Sequence, residues 1–431
     1  MELIEGIPAG LAACFVNGQE AGVAALSDDR IRARTAEPVT ALESLRLYLL
    51  NSDGATYRAI TPESARLLRC EPWQAGYLCD IALDDQLWRR EARRALGDWA
   101  RYIRLKLEGD DGALAAALTG CPDEPITART LDEQKARWFG DLPGFDIPGD
   151  WTLALSLDEP EKCAFFAGEG AESYLSALLA RSHLAGHSLF SRQPGRVYVG
   201  SQHCPELVPE GDSLAAVLRR AESDGLPVTL ALPPISQARL GWAESLMAEA
   251  ARLGAEEVVV NDFGMMELAV QTGLAPVLGI HLNRRRKDPR VSWKAGWSGR
   301  AALLAENSLN DGAFRAWLAD RGVARFEYEA CEGPVAVAPG RHSLHLPFYQ
   351  TNTASGCVLA ARCEGRDPGR PRGAEPCPQW CRDRALIYPD WMNLTGRYNS
   401  LFGLNRAVLR DEAALRGWLA QGIDRLVLEL L

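Results

Sequence analysis

The sequence predicts an α/β protein: a C-terminal (β/α)8 TIM-like barrel over residues 196–431, preceded by a separate α+β domain over residues 1–190. Three observations carry that expectation. From about Arg196 onward, short β-type runs with little internal alternation are separated by helical stretches, the pattern of a parallel sheet covered on both faces. Eight such runs fit into this half, which suits the size of a (β/α)8 barrel. No GxGxxG follows any of them, so a doubly wound open sheet, the structural alternative, has no dinucleotide site to support it.

The N-terminal half offers fewer elements. YLLNSDGATYRAI (48–60) reads as a hairpin turning at Asp53-Gly54. Residues 84–107 read as an amphipathic helix, with Leu87, Trp88, Ala92, Leu96, Trp99 and Ile103 on one side and arginines on the other. WTLALSL (151–157) reads as a strand of this half, and Ser191-Arg192-Gln193-Pro194-Gly195 as the link to the barrel. The barrel runs are RVYVG (196–200), PVTLALP (227–233), EEVVVND (256–262), PVLGIHL (276–282), RFEYE (325–329), HSLHLPF (342–348), LIYPDWMNL (386–394) and RLVLEL (425–430). Residues 213–223, 241–253, 265–272 and 412–421 read as helices between them.

Composition narrows the function classes. The chain has 431 residues, 47% of them hydrophobic, which is enough for two or three domains with a sizeable core. No stretch approaches the length of a membrane span. Glu2 and Glu5 stand where a signal peptide carries basic residues. Eleven cysteines, an odd number in a long chain, do not resemble a secreted disulfide framework, so a reducing cytoplasm is expected. A net charge of −10 argues against general nucleic-acid binding and against a membrane surface. The basic run Arg284-Arg285-Arg286-Lys287 reads as a solvated loop.

Cysteine placement is the most informative feature. Cys14, Cys70, Cys79, Cys121 and Cys163 lack metal-type spacing and read as single core thiols. By contrast, SGCVLAARCEGRDPGRPRGAEPCPQWC gathers Cys357, Cys363, Cys377 and Cys381 in one arginine-rich stretch after the sixth run, and Cys204 follows the first. The loops after barrel strands form one face, so these thiols converge on one rim. That rim also gathers Asn261, Asp262, His281, Asn283, Glu327, Glu329, Asn393, Arg397 and Asn399. Three residues separate Cys377 from Cys381, thirteen separate Cys363 from Cys377, and five separate Cys357 from Cys363. Structural zinc sites usually use two close-spaced pairs, and only one is present here. An iron–sulfur cluster tolerates irregular loops, and Arg362, Arg366, Arg370, Arg372 and Arg382 could offset its negative charge. Spacing favours a cluster and leaves zinc open.

These residues carry a resemblance. VYVGSQHC (197–204), VVVNDFGMMELA (258–269), LGIHLN (278–283), HLPF followed by AARCEGRDPGRPRGAEPCPQWC (360–381), and NLTGRYNSLFGLN (393–405) together resemble the collagenase-like peptidase family U-32. The likeness is to its iron–sulfur members, the paired proteins of oxygen-independent ubiquinone biosynthesis, and covers just over half the chain. It implies a four-iron–four-sulfur cluster held by Cys204, Cys363, Cys377 and Cys381. SGCVLAARCEGRD also matches a family pattern in which Cys357 is the ligand, so five cysteines compete for four places. It further implies hydroxylation of an organic or RNA substrate without molecular oxygen, with prephenate as the oxygen donor. A small dianion of that kind needs cations and hydrogen-bond donors, and Asn261, His281, Asn283, Arg284 and Arg397 are the rim residues able to supply them.

Two other readings stay open. A non-catalytic scaffold subunit would carry a structural cluster, with residues 1–190 recruiting a related partner protein. A peptidase needs an activated nucleophile or a metal-bound water, and no HExxH or GxSxG is present. His203 beside Cys204 could form a pair, but sequence neighbours on an extended segment point apart. His342 and His345 are expected to pack or hydrogen-bond within their strand.

Overall fold

The computed structural model describes residues 2–7, 10–51, 57–73, 76–108, 122, 124–285, 287, 305–366, 377–390 and 393–431. The chain separates into two units. The first is Met1–Asp123 with Ser292–Arg300 and Tyr388–Met392; the second is Glu124–Val291 with Ala301–Ile387 and Asn393–Leu431.

The first unit is an antiparallel sheet with one long helix. Its strands are β1 (Ile4–Glu5), β2 (Ala12–Val16), β3 (Gln19–Leu26), β4 (Arg30–Thr35), β5 (Leu45–Leu50), β6 (Tyr57–Ile60), β7 (Ala65–Trp73) and β8 (Gly76–Leu83). They run in the order β6-β5-β2-β3-β4-β8-β7, with β1 added on β3. Asn17 and Gly18 both take positive φ, 50° and 77°, which makes the tight turn that pairs Val16 with Gln19. The β5–β6 pairing expected around Asp53-Gly54 is present, with Leu50 opposite Tyr57; the turn itself lies outside the described residues. Helix α1 (Gln86–Glu108) starts where the Asp85 carboxylate accepts the Trp88 N–H at 2.7 Å. Trp88, Ala92 and Leu96 are buried against Leu47, Leu49, Ile31 and Ile81. Leu87 and Ile103, expected on that face, are each 39% exposed, so the buried stripe is narrower than the sequence pattern suggested.

The second unit is a closed parallel barrel. It begins with β9 (Ile126–Thr127) and α2 (Ala128–Phe139). The barrel strands are β10 (Thr152–Leu157), β11 (Pro194–Gly200), β12 (Val228–Ala231), β13 (Glu257–Val260), β14 (Ala275–Leu278), β15 (Arg325–Glu329), the first half of β16 (His342–Thr353), and β20 (Ile423–Glu429). Each pairs in parallel with the next, and β20 pairs with both β16 and β10, which closes the ring. Helices fall between the strands, including α3 (Pro160–Glu169), α4 (Ala171–Arg181), α5 (Gly211–Ser223), α6 (Leu240–Arg252), α7 (Gly264–Gln271), α8 (Gly312–Ala319), α9 (Val358–Cys363), α10 (Ala407–Arg410) and α11 (Glu412–Leu419). Strands buried on both faces explain the near-continuous apolar runs.

Two expectations need correction. WTLALSL is the first barrel strand, with Leu155 between Val197 and Leu428, and does not belong to the N-terminal sheet. The unit boundary therefore falls at Asp123/Glu124 and not near residues 191–195. LIYPDWMNL is not a barrel strand. Its ends lie in β17 (Arg384–Ile387) and β18 (Leu394–Arg397), which pair antiparallel with each other. They join β19 (Ser400–Leu404) and the second half of β16 in an outgrowth beyond the barrel. Apolar content marked these residues as strand, but it does not distinguish a parallel partner from an antiparallel one. The outgrowth matters because its connections carry the cysteines.

Candidate metal centre at the barrel mouth

Cys204 follows β11 at the C-terminal end of the barrel. Gly200, at φ 102°, ends the strand; a Cβ there would lie 2.4 Å from the Ala231 carbonyl oxygen. Ser201 then accepts the N–H groups of His203 and Cys204 at 3.2 and 3.3 Å, folding the loop back over the barrel. The other thiols come from the β16–β17 connection. Cys357 caps α9, where its sulfur accepts the Ala360 N–H at 3.3 Å and its thiol donates to the Tyr398 carbonyl at 3.1 Å. Gln379 takes a left-handed conformation (φ 52°) between Cys377 and Cys381, and its side chain donates to the Glu206 carbonyl at 3.0 Å. Asn399 fastens the two segments by donating to the carbonyls of His203 (2.9 Å) and Ala354 (2.7 Å).

Cys204, Cys357, Cys377 and Cys381 all line one cavity of about 500 Å³. Cys363 does not; it closes α9, where Arg384 and Asp383 act on it. Burial raises the Cys204 thiol to about 12, and the nearby Cys357 and Cys377 add to the rise. Burial likewise raises Cys381, with Glu159, Cys204 and Cys357 adding. The mutual influence of these sulfurs marks them as neighbours. Among the described residues, no three His, Cys, Asp or Glu side chains are gathered into a group able to hold a metal ion as they stand.

The other expected site residues divide. His281 lines the cavity, and its Nε2 lies 2.9 Å from the Gln202 carbonyl. Burial, then His203 and Lys287, lower its pKa to about 3, so it is neutral. Asn261 is a strut beneath the rim: it donates to Leu232 O at 2.7 Å and accepts the His281 N–H at 3.1 Å. Asn283 is buried and donates to the Glu327 carbonyl at 3.4 Å. Arg284 is exposed and lies off the cavity wall. Arg397, expected as an anion grip, is 6% exposed and donates to Glu159 at 3.0 Å and to the Cys381 carbonyl at 3.2 Å. It holds the cysteine loop and faces no ligand space. Arg366 is paired with Glu364 and Arg382 with Glu161; Arg286, Arg370, Arg372 and Cys121 lie outside the described residues.

Two buried networks were not anticipated. The first surrounds Arg397. Glu159 is raised by burial, but Arg397 and Lys162 overturn that and hold it at about 2. The Tyr398 hydroxyl lies 3.0 Å from Asp158 and 2.7 Å from Glu159. One hydroxyl proton cannot serve two carboxylates, which agrees with a raised Asp158, pushed up by burial and by Glu159 against Lys162. Asp158 and Glu159 directly follow Leu157, so they became visible as rim residues only once 152–157 was known to be a barrel strand.

The second network fills the barrel. His345 bonds Glu327 at 2.7 Å and Glu429 at 2.8 Å. Burial by itself lowers the His345 pKa, but hydrogen bonds to the two carboxylates raise it to about 10. Below it, Tyr198 donates to Glu327 at 2.9 Å and accepts from Arg425, which pairs with Glu257. Above it, Glu429 meets His203 at 3.3 Å, on the cavity wall. His203 thus faces Glu429, as sequence neighbours of Cys204 are expected to point away from that thiol. His342 instead stacks on Phe326, with ring centroids 4.8 Å apart. No helix among the described residues is long and apolar enough to cross a membrane.

No family model matches the chain, and no curated protein does. It is similar to the solved structure of a U-32 peptidase at 13% identity and a TM-score of 0.30, over 67% of this chain and 97% of that one. It is also similar to a mutant tryptophan synthase α-subunit from Pyrococcus furiosus, at 12% identity and a TM-score of 0.25, over 46% of this chain and 79% of that one. A third likeness is to the octameric ribulose-1,5-bisphosphate carboxylase/oxygenase of Pyrococcus horikoshii, at 12% identity and a TM-score of 0.26, over 74% and 78%. The barrel assignment rests on the strand pairing itself.

Proposed function

We propose that the barrel mouth holds a four-iron–four-sulfur cluster and that the protein takes part in oxygen-independent hydroxylation of an organic or RNA substrate. The observation that carries this reading is the arrival of four thiols, from residue 204 and from residues 357–381, at one cavity. The donor set suits the group. A polynuclear cluster is larger than a single ion and takes four thiolates set around it. Zinc competes for the same ligands. Burial favours the protonated forms of Cys204, Cys357 and Cys381, so assembly of the cluster releases protons. When bound, the cluster supplies redox chemistry to a substrate lying beside it.

The remaining residues would bind and orient that substrate. The cavity falls within the ordinary range of small-molecule sites. Arg239 lies on its wall, paired with Glu206, and its planar fork can grip a carboxylate in exchange. His281 acts there as a neutral hydrogen-bonding group. Asn399 lines the wall as well. A dianionic donor such as prephenate matches these groups, and the anion grip moves from Arg397 to Arg239. A cavity beside the thiols, with Arg239, His281 and Asn399 set into a mostly apolar wall, favours a catalytic cluster over a structural one in a scaffold subunit. The peptidase alternative has less support: His203 is turned to Glu429, and burial raises the Cys204 thiol, so neither forms an activated pair.

The test is calorimetric titration of prephenate into the anaerobic, cluster-loaded protein. Binding is expected, and Arg239→Ala should weaken it at least tenfold, the order of a lost charge-assisted pair. Absence of binding to wild type with an intact cluster would shift the reading to the scaffold subunit.

A further inference from the structure

Cys70 and Cys79 stand directly opposite each other on β7 and β8. Their sulfurs are 2.8 Å apart, with the Cys79 thiol donating to Cys70. Opposed residues of an antiparallel pair have Cα atoms about 4.5–5.5 Å apart. That lies inside the range of about 4.4–6.8 Å that a disulfide spans. No backbone movement is needed to join them. The two sulfurs also differ in access. Cys70 is partly exposed, and its sulfur accepts the Val39 N–H at 3.4 Å. Cys79 is fully buried, 3.6 Å from the Thr35 hydroxyl.

We propose that Cys70 and Cys79 form a redox-active dithiol, closed to a cross-strand disulfide by exchange with a low-molecular-weight disulfide such as oxidised glutathione. The accessible Cys70 sulfur, as thiolate, attacks one sulfur of the oxidant. The oxidant's S–S bond breaks, one equivalent of thiol leaves with a proton, and a mixed disulfide forms on Cys70. The Cys79 sulfur, already in contact, then gives up its proton and displaces the second equivalent of thiol. Two protein thiols become one disulfide, and one oxidant disulfide becomes two thiols. Burial first, and the hydrogen bond to Cys70 next, raise the Cys79 thiol to about 11, in keeping with its acting second, from within the mixed disulfide.

The consequence is local. Among the described residues β7 is an edge strand, paired with β8 alone and exposed along much of its length. Edge strands are the part of a sheet most open to fraying and to foreign pairing. A covalent link at Cys70 ties this edge to the sheet. The site is independent of the barrel cysteines, so it stands or falls separately from the metal-centre reading.

The sequence supplies a clean readout. Arg69 precedes Cys70, no Lys or Arg occurs before Arg89, and the tryptic peptide 70–89 contains these two cysteines and no others. The full-length reduced chain is equilibrated with excess oxidised glutathione, quenched in acid, alkylated and digested. The expected peptide carries no alkyl group and no glutathione, and weighs about 2 Da less than its dithiol form. Dithiothreitol treatment should restore two alkylations. In the oxidised chain, amide exchange over Ala65–Trp73 should slow. A peptide with both cysteines alkylated, or with glutathione retained on either, would overturn the dithiol. Unchanged exchange in the oxidised chain would overturn the role as an edge staple.

Discussion

Cys357 caps helix α9 and Cys363 ends it, and six residues of helical rotation turn their side chains in different directions. Only Cys357 reaches the cavity. The ligand set expected from family resemblance, with Cys363 in the fourth place, is therefore the less favourable choice on this geometry. Cys357→Ala should lose most of the bound iron, because one metal would be left without a protein thiolate. Cys363→Ala should keep it. Iron analysis of the two variants, purified side by side without oxygen, separates the alternatives; loss in Cys363→Ala with retention in Cys357→Ala would reverse the assignment. Arg397 teaches a related lesson. Its residue type suggested an anion grip, but its neighbours make it the strut that ties the Cys381 carbonyl to Glu159.

At the scale of elements, strands β15, β16 and β20 bring Glu327, His345 and Glu429 together inside the barrel. Their titration should shape stability. His345 has a folded pKa of about 10 against an ordinary 6.5. A raised folded value means that its contribution is fully present below about pH 6.5 and is lost as pH rises through about 10. Glu429 is shifted the other way: burial opposes the shift, but His203 and His345 hold it low, so its contribution fades only on acidification. His345→Gln removes the cation that bridges two buried carboxylates and should cost about 3–5 kcal/mol near neutrality. The gap in Tm between wild type and His345→Gln should narrow steadily from pH 7 to 10. A gap independent of pH would show that His345 is not the titrating group.

The same strands show what the sequence made legible. Apolar runs marked seven of the barrel strands correctly, because a strand buried on both faces leaves little choice of residue. TLALSL has the same texture but lies far ahead of the others, beyond two helices, so texture alone does not join it to the barrel. That separation hides Asp158 and Glu159 as rim groups. Convergence of the cysteines was readable because loops after parallel strands share one end of a barrel. Which face of α9 looks inward, and which cations are already paired, depends on tertiary contacts that spacing does not encode.

In the whole molecule, three features come together in one barrel. Thiols from two distant segments meet at its mouth, a mostly apolar cavity beside them carries Arg239, His281 and Asn399 on its wall, and a chain of hydrogen-bonded polar groups runs from Glu257 up to His203. Such an interior is unusual, because barrels of this kind are filled mainly by branched apolar side chains. The central claim is that the mouth is an iron–sulfur site. The most direct measurement is quantitation of iron, inorganic sulfide and zinc in the protein purified without oxygen. The account predicts a brown protein with about four iron and four sulfide per chain. Stoichiometric zinc without sulfide would contradict it.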